Sequence, residues 1–120
     1  MNKQQLEDRL IRFAVQIISL SENIAPTKAG NHLTGQLIRS GTSPALNYGE
    51  SRSAESLKDF IHKLQIILKE LRESFISLKI LSEARLLSDE EILNDAIKEC
   101  DELISIFVKS IQTSKRKYGK

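Results

Sequence analysis

The stretch LKDFIHKLQIILKELRESFISLKILSEA, residues 57–84, decides the fold. Leu57, Ile61, Leu64, Leu68, Leu71, Phe75 and Leu78 alternate steps of four and three without a miss, the period that lines side chains along one face of an α-helix. Phe60, Ile67 and Leu81 flank that line, and the stretch contains no Pro or Gly. Ser53 and Ser56 stand before it as candidate N-caps. A helix over about 54–84 follows, roughly 45 Å long at 1.5 Å per residue. A helix with one long apolar stripe needs other helices to cover it.

The flanking sequence supplies them. Downstream, Ser88-Asp89-Glu90-Glu91 reads as a capping box, with Ser88 as the cap. Leu93, Ile97, Cys100, Ile104, Phe107 and Ile111 then repeat the four-three spacing. This predicts a helix over about 89–113 and leaves 115–120 as a basic tail. Upstream, Leu6, Leu10, Phe13, Ile17, Leu20 and Ile24 form a stripe, which Ile11 and Ile18 are expected to widen. Pro26 ends that helix, predicted over about 4–23, and Thr27 caps the next.

The remaining segment, about 27–50, is less regular. Its stripe starts at Leu33, Leu37 and Ile38 and continues through Gly41, Ala45 and Tyr48, where small residues let a neighbouring helix approach closely. Pro44 supplies no backbone donor and crowds the carbonyl of Ser40. Two readings stay open: one helix kinked at Pro44, or a break with Ser43 capping a new short helix. Short connections and no strand-like alternation give an all-α, up-down-up-down antiparallel four-helix bundle over residues 1–114. Val15, Leu46, Ile66, Ile76, Ile80 and Ile106 lie off the stripes, which points to a second buried face made by self-association.

Composition bounds the function. At 120 residues the chain is one domain's worth. The one cysteine, Cys100, sits among apolar neighbours and points to a reducing, cytoplasmic setting. No leader pattern and no apolar run of about 18 residues is present, so no membrane partner is expected. The net charge of +2 is laid out unevenly: residues 88–102 hold seven acids and one base, and residues 103–120 hold five bases and no acid. That order complements a helix dipole.

Catalytic and cofactor templates find no match. His32 and His62 are the only histidines, and the carboxylate-histidine pairs of a di-iron bundle are not both there. Cys100 lies on an apolar stripe with no histidine beside it, and Gly41 and Gly49 lack phosphate-loop spacing. The sequence therefore reads as a non-enzymatic binding protein with no cofactor. Arg39, Arg52 and Lys63 surround the irregular segment, and Lys109, Lys115, Arg116 and Lys117 lie at the far end of the last helix. These are the candidate groups for neutralising nucleic-acid phosphate.

Ser40-Gly41-Thr42-Ser43, Asn47-Tyr48-x-Glu50 and Ser56-x-x-Asp59-Phe60-Ile61-x-Lys63-Leu64 resemble the signature of a small bacterial four-helix bundle family. That family is known as the 23S ribosomal RNA intervening-sequence, or S23-type, proteins. The resemblance spans essentially the whole chain, with its specificity in residues 39–66. The family pattern has Ile or Val where this chain has Pro44, with Pro often one position later. The resemblance implies a ring-shaped homopentamer with a basic surface that binds RNA or DNA. A related branch, the accessory variability proteins of diversity-generating retroelements, implies the alternative of an adaptor that docks a reverse transcriptase. Carried over by position, Ser43, Asn47, Glu50, Arg52, Asp59 and Lys63 match the family's polar residues, beside Tyr48 and Phe60. Their structural role would be bonds from Ser43 and Asn47 to backbone groups freed by Pro44, and charge pairing across the junction between helices two and three.

Overall fold

The computed structural model describes residues 1–118. Helix α1 spans Lys3–Ser21, α2 Lys28–Ser51, α3 Leu57–Glu83 and α4 Glu90–Tyr118. Connections of five or six residues reverse the chain each time, giving the expected up-down-up-down bundle in a rod of 50 × 21 × 20 Å. Packing runs α1 on α2, α2 on α3 and α3 on α4, with α4 closing more thinly on α1. Helices α1 and α3 are therefore diagonal, and each keeps an outward face. One end of the rod gathers the start of α1, the α2–α3 connection and the end of α4. The other end carries the α1–α2 and α3–α4 connections.

The helix ends obey local chemistry. Asn2 and Gln5 form a reciprocal capping box on α1, Thr27 accepts from the Gly30 amide, and Ser56 accepts from the Asp59 amide. At α4 the expected cap moves by one residue. Asp89, not Ser88, accepts from the Ile92 amide at 3.1 Å, because a carboxylate there also places negative charge at the positive end of the helix dipole. Helix α4 also runs past its expected end at 113. Lys115, Arg116 and Lys117 make up its last turn, where cations face the negative end of the dipole. The remainder of the expected tail, residues 119–120, lies outside the described residues. After α3, Arg85 takes φ 56°. The Leu86 amide then reaches the Leu81 carbonyl and the Arg85 amide that of Ser82, the pattern of a Schellman close.

Each predicted stripe is buried, with its centre adjusted by the neighbours. All six expected α1 residues are buried, including Ile24 in the connection, but Ile11 and Ile18 are 48% and 45% exposed and do not widen the core face. On α3 the buried line is Ile61, Leu64, Ile67, Leu71, Ser74, Leu78 and Leu81. Leu57 is exposed, and Leu68 and Phe75 are half-buried. The line turns toward Ile67 and Ser74 because α2 and α4 grip the helix from two sides. On α4 the line is Leu93, Ala96, Cys100, Leu103, Phe107 and Ile111.

Helix α2 is continuous through Pro44, which removes the reading as a break. Close approach is concentrated here. A methyl group built on Gly41 would lie 2.8 and 2.9 Å from side-chain carbons of Ile17, so α1 rests on a glycine. One residue earlier, Ser40 is buried and accepts from the Ser74 hydroxyl at 2.9 Å, tying α2 to α3. Tyr48 meets Phe107 edge-on, with ring centroids 5.8 Å apart, and thereby links α2 to α4. Cys100 donates to the Leu71 carbonyl at 3.2 Å. At the connected end, the Ala25 amide donates to the Leu86 carbonyl at 2.7 Å and joins the two connections. The Ala25 carbonyl also lies where a Gly30 side chain would have to stand.

Gly41→Ala gains about 1 kcal/mol of helix propensity but overpacks the α1 seam, a cost of about 1–3 kcal/mol. A net loss in urea-unfolding stability is expected, and in an Ile17→Ala background the same change becomes neutral or stabilising. Burial pushes the Cys100 thiol up to about 12 from 9.0. The unfolded thiol ionises first, so this group's contribution to stability is complete below about pH 9 and lost as pH rises toward about 12. Cys100→Ala removes that component from the stability-against-pH profile, and a thiol reagent at neutral pH labels Cys100 only as fast as the bundle unfolds.

Candidate nucleic-acid interface

The seven bases expected to meet phosphate divide into two sets. In the first, each cation already holds a carboxylate. Arg39, on α2, reaches across to α3, with nitrogens 3.0 Å from Glu70 and 2.6 Å from Glu73. Those carboxylates, led by the hydrogen bond that Arg39 donates to Glu73, raise its pKa above the ordinary arginine value. Arg52 turns toward α1, 3.1 Å from Glu7 and 3.1 Å from the Gln4 side-chain oxygen. Lys63 reaches back from α3 to Glu50 at 2.9 Å. Each of these three cations is thus charge-compensated within the bundle, by exposed pairs that are individually weak.

The second set is Lys109, Lys115, Arg116 and Lys117, all exposed on the last three turns of α4. Among the described residues they make no ion pair. Lys109 and Arg116 are one heptad apart and share a face to within about 20°. Lys115 points to the start of α3, where it lines a groove of about 450 Å³ with Lys58, Ile61, His62, Gln65 and Tyr118. Lys58 and Tyr118 were not among the sequence-derived candidates. The available signal was spacing: Lys58 and His62 are four apart and Lys115 and Tyr118 three apart, so each pair shares a helix face. That both pairs face one groove depends on the register of α3 against α4.

The charge is polarised along the rod. The end holding the chain's start and the end of α4 carries Lys3, Lys58 and the α4 cluster, with Lys3 5.0 Å from the Phe60 ring centroid. The connected end carries Glu22, Glu83, Asp89, Glu90 and Glu91 against Lys28, Lys79 and Arg85, an acidic excess. Midway, Arg9 clamps the thin α1–α4 seam, with its Nε and a terminal nitrogen 2.8 and 2.7 Å from the two Glu99 oxygens. The Glu99 bond raises the Arg9 pKa against the opposing effect of burial.

The signature residues serve the bundle. Glu50 and Lys63 pair across the α2–α3 junction as expected, whereas Arg52 pairs with α1 and Asp59 lies in the first turn of α3. Tyr48 is core, and burial raises its pKa. The hydroxyls bonding backbone carbonyls around Pro44 are Ser40 on Leu37 at 3.4 Å, Thr42 on Ile38 at 2.7 Å and Ser51 on Tyr48 at 2.7 Å, in place of the expected Ser43 and Asn47. No group of three or more His, Cys, Asp or Glu comes together to hold a metal among the described residues. None of the described helices is long and apolar enough to cross a membrane.

A crystal structure from Bacteroides thetaiotaomicron, described as a protein of unknown function from the S23 ribosomal protein family, superimposes on this chain with a TM-score of 0.83. It is 28% identical, and the match covers 93% of this chain and 99% of that one. No curated protein matches. The family described as 23S rRNA-intervening sequence protein matches residues 3–109. With its four helices and a match over nearly the whole bundle, the chain belongs to the 23S rRNA-intervening sequence protein family.

Proposed function

We propose that this protein is a non-enzymatic, homo-oligomeric module that binds RNA or DNA through phosphate contacts made by the end of α4. The observation that carries the reading is the set of exposed, unpaired bases Lys109, Lys115, Arg116 and Lys117 on one helix end, among the described residues. Nucleic-acid affinity of this kind scales with the number of phosphates neutralised and needs no fixed motif.

Assembly multiplies those contacts. The outward face of α1 carries Ile11, Val15 and Ile18, and the outward face of α3 carries Ile76 and Ile80, all more than 40% exposed. Because α1 and α3 are diagonal, these apolar faces point to opposite sides of the bundle. Two different faces on opposite sides favour head-to-tail contact, which closes into a ring when the rotation permits. Five is the copy number implied by the resemblance, and in such a ring a formal +2 per chain becomes +10. One α4 end per subunit would then set a repeated basic surface on one rim, a geometry that favours weak sequence preference.

Light scattering is expected to give a mass about five times the 13.6 kDa of one chain, and Val15→Glu or Ile76→Glu to release single chains. A mass of one chain for the unaltered protein would overturn the assembly. For ribosomal RNA fragments titrated across a salt series, replacing Lys115, Arg116 and Lys117 together by Gln lowers the slope of log affinity against log salt by about 2–3. Arg39→Gln, which removes a cation already paired, leaves the slope unchanged. Absence of binding to RNA and DNA at low salt would refute the reading and favour the protein-docking adaptor.

A further inference from the structure

The groove between the start of α3 and the end of α4 has features that phosphate neutralisation alone does not require. Tyr118 forms part of its wall and is 57% exposed. The other aromatic residues, Phe13, Tyr48, Phe60, Phe75 and Phe107, are buried or half-buried. Tyr118 therefore presents a ring face that the core does not use. Ile61, 8% exposed, gives the groove an apolar floor, and Gln65 supplies an amide that both donates and accepts. Lys58 and Lys115 flank the opening from two helices, with no carboxylate paired to either among the described residues.

Resting on the nucleic-acid reading above, we propose that this groove accepts an unstacked base of a single-stranded nucleic acid. The base lies on the Tyr118 ring over Ile61, and Lys58 and Lys115 hold the phosphates on either side. The combination of cations with an exposed aromatic platform is how single strands are bound with little sequence preference, since every base has a π-face. Size agrees. The groove's volume of about 450 Å³ falls in the range of about 300–1,000 Å³ typical of small-ligand pockets, large enough for a base and too small for a double helix. A duplex keeps its base faces inside its own stack and offers Tyr118 nothing to cover.

The larger groove between α2 and α3, about 790 Å³, lacks this chemistry. Its Arg39 is held by Glu70 and Glu73, and no aromatic ring lines it. Gln65 lies on both grooves, so a strand leaving the Tyr118 site along α3 would next meet Lys69 and Arg72.

The test uses the full chain in its native assembly and fluorescence anisotropy with two labelled probes: a short oligouridylate and a blunt RNA duplex of equal length. The single strand is expected to bind more tightly at equal salt. Tyr118→Leu weakens single-strand binding roughly tenfold or more, leaves duplex binding unchanged, and leaves the salt slope unchanged because no phosphate contact is lost. Tyr118→Phe, which keeps the ring, binds like the unaltered protein. Lys115→Gln lowers the slope by about 1 for both probes. Circular dichroism confirms that each variant keeps its helices, as the exposed position of Tyr118 leads one to expect. Unaltered single-strand binding by Tyr118→Leu, or a preference for the duplex, overturns the base site while leaving the nucleic-acid reading in place. No binding of either probe at low salt overturns both.

Discussion

The bundle is organised around the small-residue face of α2, which fixes how near the neighbouring helices come. Gly41 leaves room for Ile17 of α1, and Ser40, one residue away, pairs with Ser74 of α3 inside the core. A larger residue at either place would push a neighbour outward and leave voids elsewhere in a close-packed interior. Pro44 is held within the same helix. It gives up one backbone donor, and the helix remains continuous because packing on both sides holds it. Tyr48, one turn on, then reaches Phe107 across the core. The most distinctive part of the sequence thus serves assembly of the fold, and the charged groups that seemed to decorate it are committed to neighbouring helices.

Electrostatics follows from that packing. Where two helices run side by side, opposite charges of matching height meet, and Arg39, Arg52 and Lys63 are each held by acids of another helix. Arg9 does the same across the α1–α4 seam, where apolar contact is thinnest and a two-toothed pair with Glu99 supplies direction. At the end of the rod, α4 continues its basic turn to Tyr118, and the bases of that turn find no acid among the described residues. The outcome is a polar rod, acidic at the connected end and basic at the other. Among the candidate bases, the free ones lie on α4 and the paired ones around the irregular segment.

Much of the architecture was legible as periodicity. Four apolar stripes, the cap at Thr27 and the stop before Pro26 are local effects that the chain encodes within a turn or two. Ser53 and Ser56 both suit the α3 cap, and the helix start at Leu57 selects Ser56. The differences are equally physical. Periodicity marks which residues are apolar without saying from which sides a helix is gripped, so Leu68 and Phe75 moved to the edge of the core and Ser74 to its centre. Ile11 and Ile18 look like core by composition, yet they face outward with Val15 as a stripe of their own. The α4 cap passed from Ser88 to Asp89 because both side chains suit the role and only the helix start distinguishes them.

The sequence alone determined the helix count, the short connections and hence the antiparallel bundle, because these depend on interactions within a few residues. It also excluded the catalytic and phosphate-loop spacings that would have pointed to an enzyme. Which bases remain free was decided by tertiary structure. The pairs that neutralise Arg39 and Arg52 join residues 31 to 45 positions apart, and their formation depends on the register and facing of whole helices. The same register brings Lys58 and His62 of α3 opposite Lys115 and Tyr118 of α4. No local pattern contains that meeting, because its parts lie on opposite sides of two long helices' worth of chain and become neighbours only when the bundle closes.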